Sequence, residues 1–219
     1  MPHQPEPREL RNDVVDALRW DPRADSTNVS VAMLGGTAIL KGSIRSLNER
    51  WLCEQIVKRV RGVTSISNKI EVRLTIGDYR TDATLRRIIG DLFEAMAGMP
   101  PERPHVTVRN GCVTLRGSVR RPYQKQLAEQ TVRRIAGVRS ITNLIVIDGD
   151  QPLQLDLKPQ LETELSRRLP ECSIYVRVAD ARIVLRGTVR TCAERDDAID
   201  LAWCAPGVAS VHDRIVVRP

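Results

Sequence analysis

Apolar residues recur along this chain in two rhythms, and the order of the rhythms repeats three times. A spacing of three and four puts Leu10, Val14 and Leu18 on one stripe. It does the same for Leu85, Ile88, Ile89, Leu92 and Met96, and for Leu157, Leu161, Leu165 and Leu169. Each stripe predicts an amphipathic helix. Thr81 and Asp156 are expected N-caps. Asp21-Pro22, Pro100-Pro101 and Pro170 should end the helices, because proline disfavours helical geometry before it and lacks an N–H. Alternation by two then takes over: Val29, Val31 and Met33; Val106 and Val108; Ile174, Val176 and Val178. These are strands. Gly35-Gly36, Asn110-Gly111 and the weaker Asp180-Ala181 follow as two-residue hairpin turns, so an antiparallel partner strand comes next.

The partner strand carries a repeated cassette: Leu40-Lys41-Gly42-Ser43-Ile44, Leu115-Arg116-Gly117-Ser118-Val119 and Leu185-Arg186-Gly187-Thr188-Val189. Its inward residues should be Ala38, Leu40 and Ile44, then Val113, Leu115 and Val119, then Ile183, Leu185 and Val189. A second helix opens four residues after each glycine. Ser46 with Glu49 and Thr191 with Glu194 read as capping boxes, and Pro122 after Arg121 starts the middle one. The helix stripes are Cys53, Ile56, Val57 and Val60; Ala128, Val132 and Ile135; Ala198, Leu201, Ala202 and Ala205. Twenty residues after each cassette glycine stands Gly62, Gly137 or Gly207, followed by valine and expected to end the helix as its C′ residue. A last strand carries Asn68, Asn143 or Asp213 six positions on.

The chain is therefore a triplication. It predicts an α+β protein of three tandem αββαβ units, at residues 8–75, 80–148 and 153–219. In each, two helices should pack on one face of a three-stranded mixed sheet, the third strand parallel to its neighbour. Short linkers are expected near Ile76–Arg80 and Asp148–Pro152.

These residues resemble the BON domain, the module of bacterial osmotically inducible and nodulation proteins. The likeness rests on Leu-x-Gly-x-Val at a strand end, a capped helix, Gly-Val, and a closing strand led by Asn. It covers residues 8–219. The triple array, with Trp20-Asp21-Pro22 and Trp203-Cys204-Ala205-Pro206-Gly207-Val208, is similar to the three-repeat osmotic-stress subgroup. The third unit departs in having Asp213 for asparagine and no turn glycine. The resemblance implies an αββαβ fold, a binding role at phospholipid or envelope surfaces, often periplasmic, and no enzymatic activity.

Composition narrows the partner classes. The 42% apolar and 28% charged fractions are those of a globular protein. No run approaches the ~18 apolar residues of a membrane span. The polar, proline-rich start has no signal-peptide pattern, which points to the cytoplasm, with peripheral membrane association open. Five cysteines at unmatched positions, with no Cys-x-x-Cys, read as small buried or half-buried thiols. His3, His105 and His212 likewise share no repeat position, and no catalytic constellation assembles, so neither catalysis, metal nor cofactor is expected.

The net charge of +7 divides as +4 in residues 8–77, +4 in 78–150 and none in 151–219, with Glu6 supplying the balance. Basic residues fall in repeat register. Lys41, Arg116 and Arg186 precede the cassette glycine, Arg45, Arg120 and Arg190 follow it by three, and Arg50, Lys125 and Arg195 by eight. The first two sets share a strand face with Ser43, Ser118 or Thr188 between them. Such a face suits lipid phosphates or another polyanion. The plainer reading is a solvated outer sheet surface that resists edge aggregation. Glu54 and Glu129, four residues beyond Arg50 and Lys125, are placed to pair with them.

The middle unit adds Arg121, Tyr123, Lys125, Arg133 and Arg134, and is the unit expected to contact an anionic surface. Aromatics at 3% leave few stacking platforms, which argues against nucleic acid. The sequence thus predicts a non-enzymatic, stress-associated adaptor for anionic phospholipid or an envelope component, with a protein-interaction scaffold without lipid binding as the alternative and a protein partner or self-association open.

Overall fold

Leu10, Val14 and Leu18 form the buried face of α1 (Pro7–Trp20), which ends where Asp21-Pro22 predicts. The computed structural model describes residues 7–96, 104–148, 157–179, 182–208 and 210–218, without the side chain of Pro7. Asp156, Pro100-Pro101, Asp180-Ala181 and the linker beyond Asp148 lie outside the described residues.

The first repeat continues with β1 (Val29–Leu34), β2 (Thr37–Ile44), α2 (Leu47–Lys58) and β3 (Ser65–Val72). After a single 3-10 turn at Ile76–Asp78 come α3 (Asp82–Ala95), β4 (His105–Arg109), β5 (Cys112–Val119), α4 (Pro122–Arg133) and β6 (Ser140–Ile147). The third repeat is α5 (Leu157–Arg168), β7 (Ser173–Ala179), β8 (Arg182–Val189), α6 (Cys192–Cys204) and β9 (Ser210–Val217). Each repeat has one sheet with its cassette strand central: β1-β2-β3, β4-β5-β6 and β7-β8-β9. The hairpins are antiparallel, and β6 and β9 run parallel to β5 and β8. In the first repeat the Thr64 N–H bonds the Gly36 carbonyl at 2.8 Å and Arg73 N–H the Ile44 carbonyl at 2.8 Å. Those bonds join start to start and end to end, so β3 also runs parallel to β2. The fold is α+β, three tandem units with their helices on one side of the sheet.

The nine cassette-strand residues expected to point inward are all buried, Ala38, Leu40, Leu115, Ile183 and Leu185 completely. In the middle repeat they meet Leu85, Ile89 and Phe93 of α3, Ala128 and Val132 of α4, and Val138 and Ile145, with Leu47 of α2 packed against the same cluster. The α3 stripe differs from expectation. Phe93 is buried and Leu92 is 37% exposed, because the four-residue step from Leu85 and Ile89 lands on 93.

By packing, the chain divides into two bodies. One comprises Met1–Gly42, Trp51–Ile70 and Gln151–Pro219; the other comprises Ser43–Arg50 and Glu71–Asp150. Within the first body the helices of the outer repeats are joined directly. Lys58 Nζ on α2 meets Asp196 Oδ2 on α6 at 2.8 Å and Glu54 Oε1 at 3.1 Å. The buried Cys192 thiol donates to the Val63 carbonyl at 3.3 Å.

The cassette glycines explain why the motif recurs. Gly42, Gly117 and Gly187 have φ of +133°, +133° and +146°. A Cβ at Gly42 would run into the Asn28 carbonyl, and one at Gly187 into that of Ser173. Only glycine lets the neighbouring chain come so close. Gly62 and Gly137 play a different part from the one expected. The helices have already ended at Lys58 and Arg133. Each glycine is the third residue of a separate turn, closed by Val63 N–H to Val60 O and by Val138 N–H to Ile135 O, both 3.3 Å. Their φ of +92° and +98° at that position is the type II geometry, which favours glycine.

Candidate functional site: the outer sheet faces and the cassette ends

The capped helix starts adjoin the basic residues at the cassette ends. Glu49 N–H donates to Ser46 Oγ at 3.2 Å, and Glu194 N–H to Thr191 Oγ1 at 3.2 Å. The Glu194 carboxylate returns to the N–H groups of Arg190 (2.7 Å) and Thr191 (3.2 Å). In the middle repeat Gln124 Oε1 accepts the Arg121 N–H at 3.0 Å ahead of Pro122. Thr81 caps α3, its Oγ1 accepting from Thr84 N–H at 3.2 Å.

Lys41, Arg116 and Arg186 are exposed on the sheet face away from the helices. Arg45 and Arg120 are exposed just beyond their strands. Arg121 and Arg134 are exposed at either end of α4, Tyr123 is 45% exposed on its first turn, and Lys125 is half-buried. Arg133 does not join them. It is 9% exposed and reaches Glu129 Oε1 at 3.4 Å, which takes it off the surface. Arg190 is half-buried and ion-paired to Glu171.

The carboxylates expected to offset Arg50 and Lys125 hold the closing strands. Asn68 Nδ2 donates to Glu54 Oε2 and Asn143 Nδ2 to Glu129 Oε2, each at 3.1 Å. The asparagine oxygen meanwhile accepts the N–H two residues on, at Ile70 and Ile145, each at 3.2 Å.

Register alone would have revealed the larger basic surface. On the outer face of the third sheet Tyr175 stands opposite Arg186, which stands beside Arg214. The next rows are Arg177, Val184 and His212, then Ala179, Arg182 and Ser210. All four arginines are exposed, and Tyr175 is 72% exposed. Net charge hid this face, because the acids of that repeat lie elsewhere. The corresponding rows of the middle sheet hold His105, Arg109 and Arg116 with the exposed Leu144 and Val146. Among the described residues no group of three or more His, Cys, Asp or Glu is placed to hold a metal ion. None of their helices is long and apolar enough to cross a membrane.

The family model of the BON domain matches residues 8–73, 81–149 and 150–219. This chain belongs to the BON-domain family. Over 122 residues the chain is also similar to Osmotically-inducible protein Y of Escherichia coli (strain K12), at 29% identity. That match covers 54% of this chain and 61% of the relative, so the chain spans about three fifths of the relative's length. Among solved structures, the BON chain is compared with CdsD, a structural protein of the type III secretion system of Chlamydia trachomatis. The identity is 14%, the coverage 96% of this chain and 92% of that one, and the TM-score 0.24. For the PrgH periplasmic domain the figures are 10%, 94% and 100%, and 0.25.

Proposed function

We propose that this BON protein is a non-enzymatic, osmotic-stress-associated adaptor that attaches peripherally to anionic phospholipid or another acidic envelope surface. The observation that carries the reading is the register of Lys41, Arg116 and Arg186, one exposed cation at the same point of each outer sheet face. Arg45 and Arg120 extend that line in the first two repeats, and Arg121, Tyr123, Lys125 and Arg134 enlarge it in the second. A juxtamembrane cation contributes ~1 kcal/mol near an anionic bilayer, so one repeat binds weakly and several together bind well. The stress association is supported by the similarity to an osmotically inducible relative.

Co-sedimentation of the full chain with vesicles of phosphatidylcholine, alone or mixed with phosphatidylglycerol, tests the reading. Binding that requires phosphatidylglycerol and weakens with salt is expected. Indifference to lipid charge would instead favour the protein-interaction scaffold.

A further inference from the structure

The third repeat carries no net charge, yet its sheet is the most strongly cationic of the three on its outer face. Parity assigns that face residues 173, 175, 177 and 179 of β7, 182, 184, 186 and 188 of β8, and 210, 212, 214 and 216 of β9. It holds Arg177, Arg182, Arg186 and Arg214, with His212 and Tyr175, and none of its described residues is acidic. The corresponding face of the first repeat sets Lys41 and Lys69 against Glu71, and that of the second holds Arg109 and Arg116.

None of the four arginines forms an ion pair with a described residue, whereas Arg190, Arg195, Arg167 and Arg168 of the same repeat do. Arg186 stands directly beside Arg214 on paired strands, roughly 4.8 Å apart along the hydrogen-bonding direction. Like charges so placed destabilise a sheet. A face needed only for solubility would mix its signs.

The geometry points to this sheet face as the principal anion-docking surface of the chain, and to an anionic phospholipid bilayer as its occupant. The inference rests on the proposed membrane reading and locates its main contact. Guanidinium forks bind phosphate oxygens in pairs, which an ammonium cannot do. The rows repeat roughly every 6.7 Å along the strands, so several headgroup phosphates can be engaged together. Tyr175 borders the arginine row with an apolar ring and a polar tip, the side-chain form suited to a bilayer interface. Val216 is 50% exposed on the same face. A single-stranded nucleic acid needs successive stacking platforms, and this face has one tyrosine.

The test compares vesicle binding of the full chain, R186Q/R214Q and R120Q/R134Q. The first double variant should lose roughly twentyfold in partition onto phosphatidylglycerol-containing vesicles, and the second only a few-fold. Removing two repelling charges should leave Tm at or above that of the parent, which separates lost binding from lost folding. Equal losses in both variants, or a loss confined to R120Q/R134Q, overturn this inference while leaving the membrane reading in place. Parent protein that ignores anionic vesicles sinks both. If it instead binds a single-stranded oligonucleotide that R186Q/R214Q releases, the face belongs to nucleic acid and the bilayer is the wrong occupant.

Discussion

Asp213 on β9 accepts from Arg195 on α6, Nε at 2.6 Å and Nη2 at 2.5 Å, in the place where the other two repeats join an asparagine to a glutamate. Its other oxygen still accepts the Ile215 N–H at 2.8 Å, as the asparagines do for Ile70 and Ile145. The helix partner has moved. Glu54 and Glu129 stand twelve residues after their cassette glycine, where the third repeat has Ile199, and Arg195 stands eight after. The aspartate is therefore half of a charge exchange that keeps the strand tied to the helix.

Each arrangement should reject the other's residue. Asn143→Asp would set a carboxylate beside Glu129, and we expect it to cost about 1–2 kcal/mol in urea unfolding. Asp213→Asn keeps the bond to Ile215 but leaves Arg195 without its countercharge. With the Arg195 side chain 42% exposed, the cost should be smaller, about 1 kcal/mol. If the two substitutions cost nothing, the exchange is incidental.

Glycine substitutions should split by site. Gly187→Ala combines a φ of +146° with a collision against the Ser173 carbonyl, so a loss of about 2 kcal/mol or more is expected. Gly90 lies inside α3, where an added methyl meets nothing within 4 Å. Gly90→Ala should therefore raise stability by about 1 kcal/mol. Thermal melts of the two variants should move in opposite directions.

Most of the fold was legible because period and punctuation agree. The cassette leucines could face only one way once the alternation was set, and Leu157, Leu161 and Leu165 left α5 no other buried stripe. Leu92 misled because a stripe read by hydrophobicity alone does not choose between adjacent apolar residues, and Phe93 completes the four-residue step. The basic site was legible only in part. Lys41, Arg116 and Arg186 share a register, whereas Arg177 and Arg182 have no basic counterparts in the other repeats, Arg214 has one only in Lys69, and the cluster emerges only when three strands lie side by side. Arg133 looked like surface charge until packing buried it beside Glu129.

Asp82 predicts a pH effect confined to acid. Its carboxylate accepts the N–H groups of Asn110 (2.8 Å) and Gly111 (2.9 Å), tying α3 to the hairpin turn. Those bonds, Gly111's first, hold its pKa below the usual carboxylate value. A lowered folded-state pKa stabilises above the unfolded value of ~4 and loses that contribution as pH falls through the folded one. Asp82→Ala should thus melt below the parent near neutrality and converge with it once the pH is well below the ordinary carboxylate value.

Thiol chemistry should rank the cysteines by environment. Cys53 and Cys192 are buried and Cys172 half-buried, as the sequence suggests, whereas Cys112 and Cys204 are exposed against that expectation. Burial, then the negative charge of Glu194, pushes the Cys172 thiol up to about 11. Only thiolate attacks iodoacetamide, so at mildly alkaline pH Cys112 and Cys204 should alkylate first. Cys172 should lag despite its partial exposure, and mass mapping that finds it labelled first would contradict this environment.

The Lys58–Asp196 contact makes the outer repeats' coupling measurable. Burial works against the Lys58 charge, but Asp196 and Glu54 outweigh it and raise the pKa. The stabilisation is therefore complete below the ordinary lysine value and is lost as pH rises through the folded one. Asp196 is 45% exposed, so a double-mutant cycle of Lys58→Ala with Asp196→Ala should give a coupling of about 0.5–1 kcal/mol. That energy should vanish at strongly alkaline pH. A coupling that persists there would mean that the two helices communicate through apolar packing around Cys192 and Val63 instead of through charge.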